Sequence, residues 1–194
     1  MTVALLPVGP VDMCVIDAAC ESLRDVFDCD VQLRSAIGIG PDAYDAVRRQ
    51  YSSSTLMQAI ARVSTSPADR TLGVTEADLF IPMLTFVFGQ AQLSGRNAIV
   101  SFARLRQSFY GLQPDPELLS VRMRKEITHE IGHTLGLIHC PDRQCVMSVA
   151  TSIQQVDTKG GRFCSTCHRV AGEQMSHLKE QTNEAELADS NHRR

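Results

Sequence analysis

Residues 129–140 read His-Glu-Ile-Gly-His-Thr-Leu-Gly-Leu-Ile-His-Cys, and this stretch decides the fold that we expect. A step of four residues along a helix turns by about 400°, so His129 and His133 lie on one face, one turn apart. Two imidazoles in this arrangement hold one Zn²⁺ at about 2.0 Å. Glu130 lies about 100° further round the helix, where its carboxylate reaches a water on the metal rather than the metal itself.

A third histidine completes the predicted site. A continuous helix would place His139 about 15 Å along the axis from His129, too far for a shared ion. Gly136 can adopt a positive φ and end the helix in a turn, which lets His139 swing back. The short HExxH pattern occurs by accident in many proteins, but the longer HExxHxxGxxH pattern is a sharper signal. We therefore predict a catalytic zinc held by His129, His133 and His139, with Glu130 as the general base.

Four of the seven cysteines follow the third histidine closely and form two pairs separated by a loop. They are Cys140, Cys145, Cys164 and Cys167. Two thiolate pairs of this kind usually build a closed, four-coordinate structural zinc site. Adjacent side chains of an extended segment point in opposite directions, so His139 can face one ion while Cys140 faces another. We expect two zinc ions per chain; four reduced cysteines without metal are the alternative.

The residues from His129 to Cys167 carry a family resemblance. The extended histidine pattern resembles that of the metzincins, and Cys140, Cys145, Met147 and the late Cys-x-x-Cys resemble the archaemetzincin family in particular. This resemblance implies a metzincin-like fold: a mixed twisted sheet, a backing helix, an active-site helix and a small C-terminal subdomain with a structural zinc. It also implies that Met147 lies in a Met-turn beneath the catalytic zinc without binding it; the alternative role for Met147 is core filling.

The rest of the chain predicts an α/β (α+β) arrangement in which strands and helices alternate into a small mixed sheet. We expect strands at 2–8, 31–39, 71–75, 79–88 and 98–102, and helices at 11–27, 42–49, 54–63 and 117–137. Ile127, Ile131 and Thr134 should face the core from the last of these helices.

Three segments are expected along the chain. Residues 1–139 form an N-terminal metzincin-like subdomain that ends with the active-site helix, at about 117–137. Residues 140–180 form a C-terminal subdomain that holds the Met-turn and the four-cysteine site. Residues 181–194 are polar and are expected to be a disordered tail.

Composition narrows the class of protein. The chain has 194 residues, is 43% hydrophobic and carries a formal net charge of -3. It therefore lacks the overall basic field that attracts nucleic acid or anionic lipid, and no apolar stretch approaches the roughly 20 residues needed to cross a membrane. We expect a cytoplasmic monomer that has a peptide or protein as its substrate, with no nucleic-acid or membrane partner.

The function expected from these residues is hydrolysis of a peptide bond by zinc-bound water, with Glu130 taking the proton and passing it to the leaving amine. The substrate should lie extended along an edge strand between Leu79 and Phe102. Two alternatives stay open at this point. One is a catalytically weak or blocked zinc-stabilised binding or regulatory protein, and the other is a zinc hydrolase of a non-peptide amide.

Overall fold

The chain alternates strands and helices before it reaches the long histidine-bearing helix. The computed structural model describes residues 1–64 and 68–192, with side chains described as far as residue 180. The strands are β1 (Thr2–Pro7), β2 (Asp30–Leu33), β3 (Tyr44–Asp45), β4 (Gln50–Ser52), β5 (Arg70–Thr75), β6 (Leu79–Phe80), β7 (Gly89–Ala91) and β8 (Asn97–Ser101). The α-helices are α1 (Met13–Phe27), α2 (Ser53–Val63), α3 (Pro116–Thr134), α4 (Ile153–Thr158) and α5 (Ser165–His192).

The main sheet has five strands in the order β2-β1-β5-β8-β7. The first four run parallel, and β7 pairs antiparallel with β8 at the edge. Alternate residues of each strand face opposite sides, so β8 sends Val100 toward α1 and α3 and Ile99 toward α2. Burial on both faces explains the nearly continuous apolar runs of the central strands. The mixed α/β fold is as predicted.

Helix α3 is fixed at both ends by polar side chains. Asp115 accepts a hydrogen bond from the backbone N–H of Leu118 and caps the N-terminus. At the other end Arg70 of β5 donates to the hydroxyl and to the carbonyl oxygen of Thr134, at 3.1 and 3.2 Å. Ile127, Ile131 and Thr134 are fully buried, which confirms the predicted core face. The contact with β5 therefore fixes the position of the C-terminal end of α3, which carries His129 and His133.

The helix predicted over Asp42–Arg49 is wrong. A 3₁₀ turn at Pro41–Ala43 is followed by a short β3–β4 hairpin. Asp45 accepts hydrogen bonds from the N–H groups of Val47 and Arg48, a local turn that competes with helix formation.

Two predicted strands are shorter than expected, and the active-site helix ends at Thr134 rather than Leu137. Strand β2 stops at Leu33, and β6 holds only Leu79–Phe80. Pro82 has no N–H for a ladder, which interrupts the run after β6. Residues 81–88, called the cleft loop below, instead fold back so that the N–H of Val87 donates to the carbonyl of Leu79 at 2.9 Å.

The C-terminal part continues from α3 through a loop, α4 and α5. The division of the chain into subdomains stays a prediction. So does the disorder expected of residues 181–194, whose side chains lie outside the described part of the structure, although the bounds of α5 reach His192. Among the described residues no helix is both long enough and apolar enough to cross a membrane.

Candidate metal centres

The fold brings the three predicted histidines together at the C-terminal end of α3. Each offers one ring nitrogen, and the three nitrogens lie within 4.8 Å of one another. The Nε2 atoms of His129 and His133 are 3.1 Å apart. Two nitrogens bound to one tetrahedral zinc at 2.0–2.1 Å would be separated by about 3.3 Å. The spacing therefore suits a shared ion.

Backbone carbonyls orient two of these rings. Nδ1 of His129 lies 2.9 Å from the carbonyl oxygen of Val146, and Nδ1 of His133 lies 2.7 Å from that of Leu137. A proton on each Nδ1 satisfies the carbonyl and leaves each Nε2 with a free lone pair. Two lone pairs facing each other at this distance repel unless a cation lies between them. The donor set thus fits a metal ion.

Burial favours the neutral form of the three imidazoles, which is the form that binds metal. It lowers the pKa of His129 well below 6.5, and the positive charge of Lys159 acts in the same direction. Burial also lowers the pKa of His133 and of His139. His139 is the exposed member, whereas His129 is 5% exposed.

The turn after α3 places His139. Gly136 has a φ of 86°, in the left-handed region that favours glycine. The N–H of Gly136 donates to the carbonyl of His133, and that of Leu137 donates to the carbonyl of Gly132, both at 3.0 Å. These bonds form a Schellman motif, which ends the helix and reverses the chain. The glycine turn expected from the sequence is present.

Glu130 shares a cavity with His129 and His139. A cavity of about 190 Å³ is lined by Glu130, His129 and His139 together with the cleft loop. Burial raises the pKa of Glu130 well above its ordinary value, and the negative charge of Glu126 one turn earlier raises it further. A Cβ on Gly89 of β7 would lie 2.6 Å from Oε1 of Glu130, so the glycine lets the edge strand approach this carboxylate closely.

A buried ion pair that the sequence did not suggest lies beside Glu130. Nζ of Lys159, which follows α4, is 2.8 Å from Oε1 of Glu126, and both side chains are less than 5% exposed. The contact brings the two charges together without hydrogen-bond alignment. Lys159 is the positive charge that partly opposes the rise in the pKa of Glu130.

Met147 packs against the histidine helix from below. It is fully buried, and a Cβ on Gly132 would lie 2.5 Å from its Sδ atom. Gly132 therefore lets the methionine lie against the helix between the two turns that bear His129 and His133. Sequence reasoning identified Met147 but missed Gly132, although a glycine inside a helix is a signal of close approach.

The four late cysteines also come together. Their sulfur atoms lie within 4.8 Å of one another, and the Sγ atoms of Cys140 and Cys164 are 3.8 Å apart. Two sulfurs at 2.3 Å from a tetrahedral zinc would be separated by about 3.8 Å. A hydrogen bond from the backbone N–H of Cys167 is the main cause that lowers the pKa of Cys164, to about 7. The N–H of Cys140 donates to the carbonyl of Met147 at 3.0 Å, which links the two clusters.

Comparison with known proteins gives consistent matches. A model described as Peptidase family M54 matches residues 34–172. A protein of Methanocaldococcus jannaschii named archaemetzincin is 41% identical over 168 residues, which cover 86% of this chain and 90% of that relative. An archaemetzincin of Methanopyrus kandleri is 51% identical over 125 residues, 64% of this chain and 67% of that relative.

Solved structures give the same result at the level of the fold. The crystal structure of archaemetzincin from Methanopyrus kandleri superposes with a TM-score of 0.80 at 39% identity, covering 91% of this chain and 96% of that one. The structure from Archaeoglobus fulgidus, complexed with malonate, gives a TM-score of 0.77 at 35% identity and covers 88% of this chain and 99% of that one.

Proposed function

The chain belongs to peptidase family M54, the archaemetzincins, and from this premise we propose that His129, His133 and His139 hold its catalytic zinc while Glu130 is the general base. Membership confirms the resemblance seen in the sequence and makes the protein a zinc metallopeptidase with peptide or protein substrates. The observation that carries the residue assignment is the cluster of three ring nitrogens beside a buried carboxylate.

Glu130 has the surroundings that a general base requires. A zinc ion held by the three histidines would act as a Lewis acid, lowering the pKa of a water molecule and polarising the scissile carbonyl. Glu130 accepts the proton of the attacking water and passes it to the leaving amine. Its burial excludes bulk water from that transfer, and a divalent charge at the histidines would oppose the rise in its pKa.

The substrate is proposed to lie along β7. Among the strands of the described residues β7 pairs with β8 alone, so it forms the edge of the main sheet. Gly89 of β7 adjoins Glu130, so a peptide hydrogen-bonded to this edge would pass over the carboxylate. The bound peptide is proposed to be extended, as in strand addition.

The second zinc is proposed to be structural, with Cys140, Cys145, Cys164 and Cys167 as its ligands. Four thiolates would close the coordination sphere of a zinc ion and leave no position for water. The ion would fix Cys140, and through one peptide bond it would fix His139. A cytoplasmic location and a monomeric state stay proposals that rest on the sequence.

Substitution of Glu130 tests the assigned base. Glu130→Gln should keep both zinc ions and lose peptide cleavage by at least about 100-fold, because a general base typically contributes a factor of 10²–10⁴. The measurement is cleavage of a mixed peptide library, followed by mass spectrometry, with zinc content determined on the same sample.

The matched control is Glu117→Gln, which changes an exposed glutamate on the same helix and should cleave as the wild type does. A chelator should abolish cleavage by both wild type and control. Cleavage by Glu130→Gln at the wild-type rate would show that another group takes the proton. A wild type that cleaves no peptide would favour the binding or regulatory alternative.

A further inference from the structure

The cleft loop forms one wall of the cavity that contains Glu130. The apolar part of this wall, with the segment opposite, consists of Leu84, Phe86, Val87, Phe88, Val149 and Ala150. The cavity volume of about 190 Å³ is below the roughly 300–1,000 Å³ of most small-molecule pockets. An apolar space of this size beside the catalytic carboxylate suits one side chain.

Phe86 is the aromatic ring of this wall that touches a charged side chain. Cζ of Arg104 lies 4.2 Å from the centroid of the Phe86 ring, a cation–π contact. The Phe86 ring also packs edge to face against Phe88, with centroids 5.1 Å apart and planes at 79°. Phe86 is only partly buried, so these contacts decide where the ring lies.

Arg104 is itself held in place. Its Nε and terminal nitrogen donate to the two carboxylate oxygens of Asp78 at 2.6 and 2.8 Å. A paired, two-point contact fixes the plane of a guanidinium as well as its position. Cζ of Arg104 also lies 4.7 Å from the centroid of Phe109. The guanidinium therefore has one orientation, and Phe86 packs against it.

The same network reaches the backbone of the cleft loop. Nε2 of Gln50 donates to Asp78 and to the carbonyl of Thr85, both at 3.0 Å. Thr85 directly precedes Phe86, so both the main chain and the ring at this point depend on Asp78. One residue earlier in the loop, Arg48 donates to the carbonyl of Leu84 at 3.0 Å.

We propose that Arg104, held by Asp78, is a positioning residue that fixes Phe86 as the wall of a substrate subsite for a medium-sized apolar side chain next to the scissile bond. The inference rests on the proposed function, because the catalytic residues form the floor of the same cavity. The fixed ring closes the subsite to large aromatic side chains. Release of the ring would open it.

The chain supplies a matched control in Arg106. This arginine also makes two hydrogen bonds to one carboxylate, that of Glu76. Arg106 lines a different cavity, beside Cys14 and Leu119. Replacement of either arginine by methionine removes the charge and the ion pair and keeps an unbranched apolar stem.

The experiment compares two peptides that differ only in the residue next to the bond that the wild type cleaves in a randomised library. One peptide carries leucine there and the other carries tryptophan. The wild type should prefer leucine. Arg104→Met should reduce that preference by about tenfold, within the range expected from loss of a cation–π contact, mainly through tighter binding of the tryptophan peptide.

Under the same conditions Arg106→Met should change the preference by less than about twofold, and kcat for the leucine peptide should stay within about twofold in both variants. Binding of the two peptides, followed by fluorescence polarisation in a Glu130→Gln background, gives the same comparison without turnover. This second readout separates the subsite from the catalytic assignment. Zinc content and a thermal melt verify that each variant is folded, and Asp78→Asn replaces Arg104→Met if the latter is not.

Two results would overturn the proposal. One is an unchanged leucine preference in Arg104→Met when Phe86→Ala abolishes it, because the ring would then form the wall without help from Arg104. The other is an equal loss of preference in the two arginine variants, because any ion pair of this region would then have the same effect. A wild type that binds and cleaves no peptide contradicts the proposed function instead.

Discussion

At the scale of single residues, two glycines of the histidine pattern shape the site, and the role of only one of them was evident from the sequence. Gly136 could be predicted because its neighbours along the chain require a turn there. At Gly132 a glycine inside a helix signals a close approach, but the side chain that approaches it, Met147, reaches the helix only through the tertiary fold and could not be identified from the sequence. The same holds for Lys159 and Glu126, whose contact joins two separate elements.

Replacement of Gly132 by alanine should destabilise the protein although alanine is the better helix former. The new Cβ would overlap Met147, and an overpacked core usually costs about 1–3 kcal/mol. The control is Gly172→Ala in α5, where a Cβ meets nothing within 4 Å and the gain should be about 0.5–1 kcal/mol. Chemical denaturation of the zinc-loaded proteins measures the free energy of unfolding of both variants. The same change in both would refute the close approach at Gly132.

At the scale of elements, the long helices were predictable and the short strands were not. Helix α1 repeats apolar residues over several turns, and the stretch that forms α3 consists of helix formers without an internal proline. Strands of two or three residues, such as β3 and β6, are too short to show a period. The β3–β4 hairpin depends on a turn at Asp45, and the cleft loop depends on contacts with Gln50 and Arg104 that come from other elements.

Charged residues of α3 attach the C-terminal part of the chain to this histidine-bearing helix. Arg122 makes two hydrogen bonds to Asp157 at 2.6 and 2.7 Å, and Lys125 donates to the carbonyls of Val156 and Asp157. The buried pair of Lys159 and Glu126 continues this row toward Glu130. Helix α4 is thus held to α3 by polar contacts.

Loss of Lys159 should be costly because it leaves the Glu126 carboxylate buried without its partner. Lys159→Met is expected to reduce the free energy of unfolding by about 3–5 kcal/mol, and the double variant with Glu126→Gln should recover part of the loss. The exposed pair of Arg169 and Glu173 is the comparison, where Arg169→Met should cost about 0–1 kcal/mol. A double-mutant cycle by denaturation measures the coupling, and equal costs at the two pairs would contradict the role of burial.

At the scale of the whole molecule, the fold places one proposed ion site on each side of a single peptide bond. His139 belongs to the histidine cluster and Cys140 to the cysteine cluster. The sequence predicted the members of both clusters and the opposite directions of these two side chains. It could not supply the edge strand over Glu130 or the cavity wall, since both depend on how the sheet and the cleft loop pack around α3.

Anomalous X-ray diffraction at the zinc edge, from crystals of the protein purified with its own metal, tests the central claim most directly. We predict two peaks, one between His129, His133 and His139 and one among the four cysteines. A single peak at the cysteines, or a histidine cluster with no zinc after soaking in zinc, would contradict the assignment of the catalytic centre.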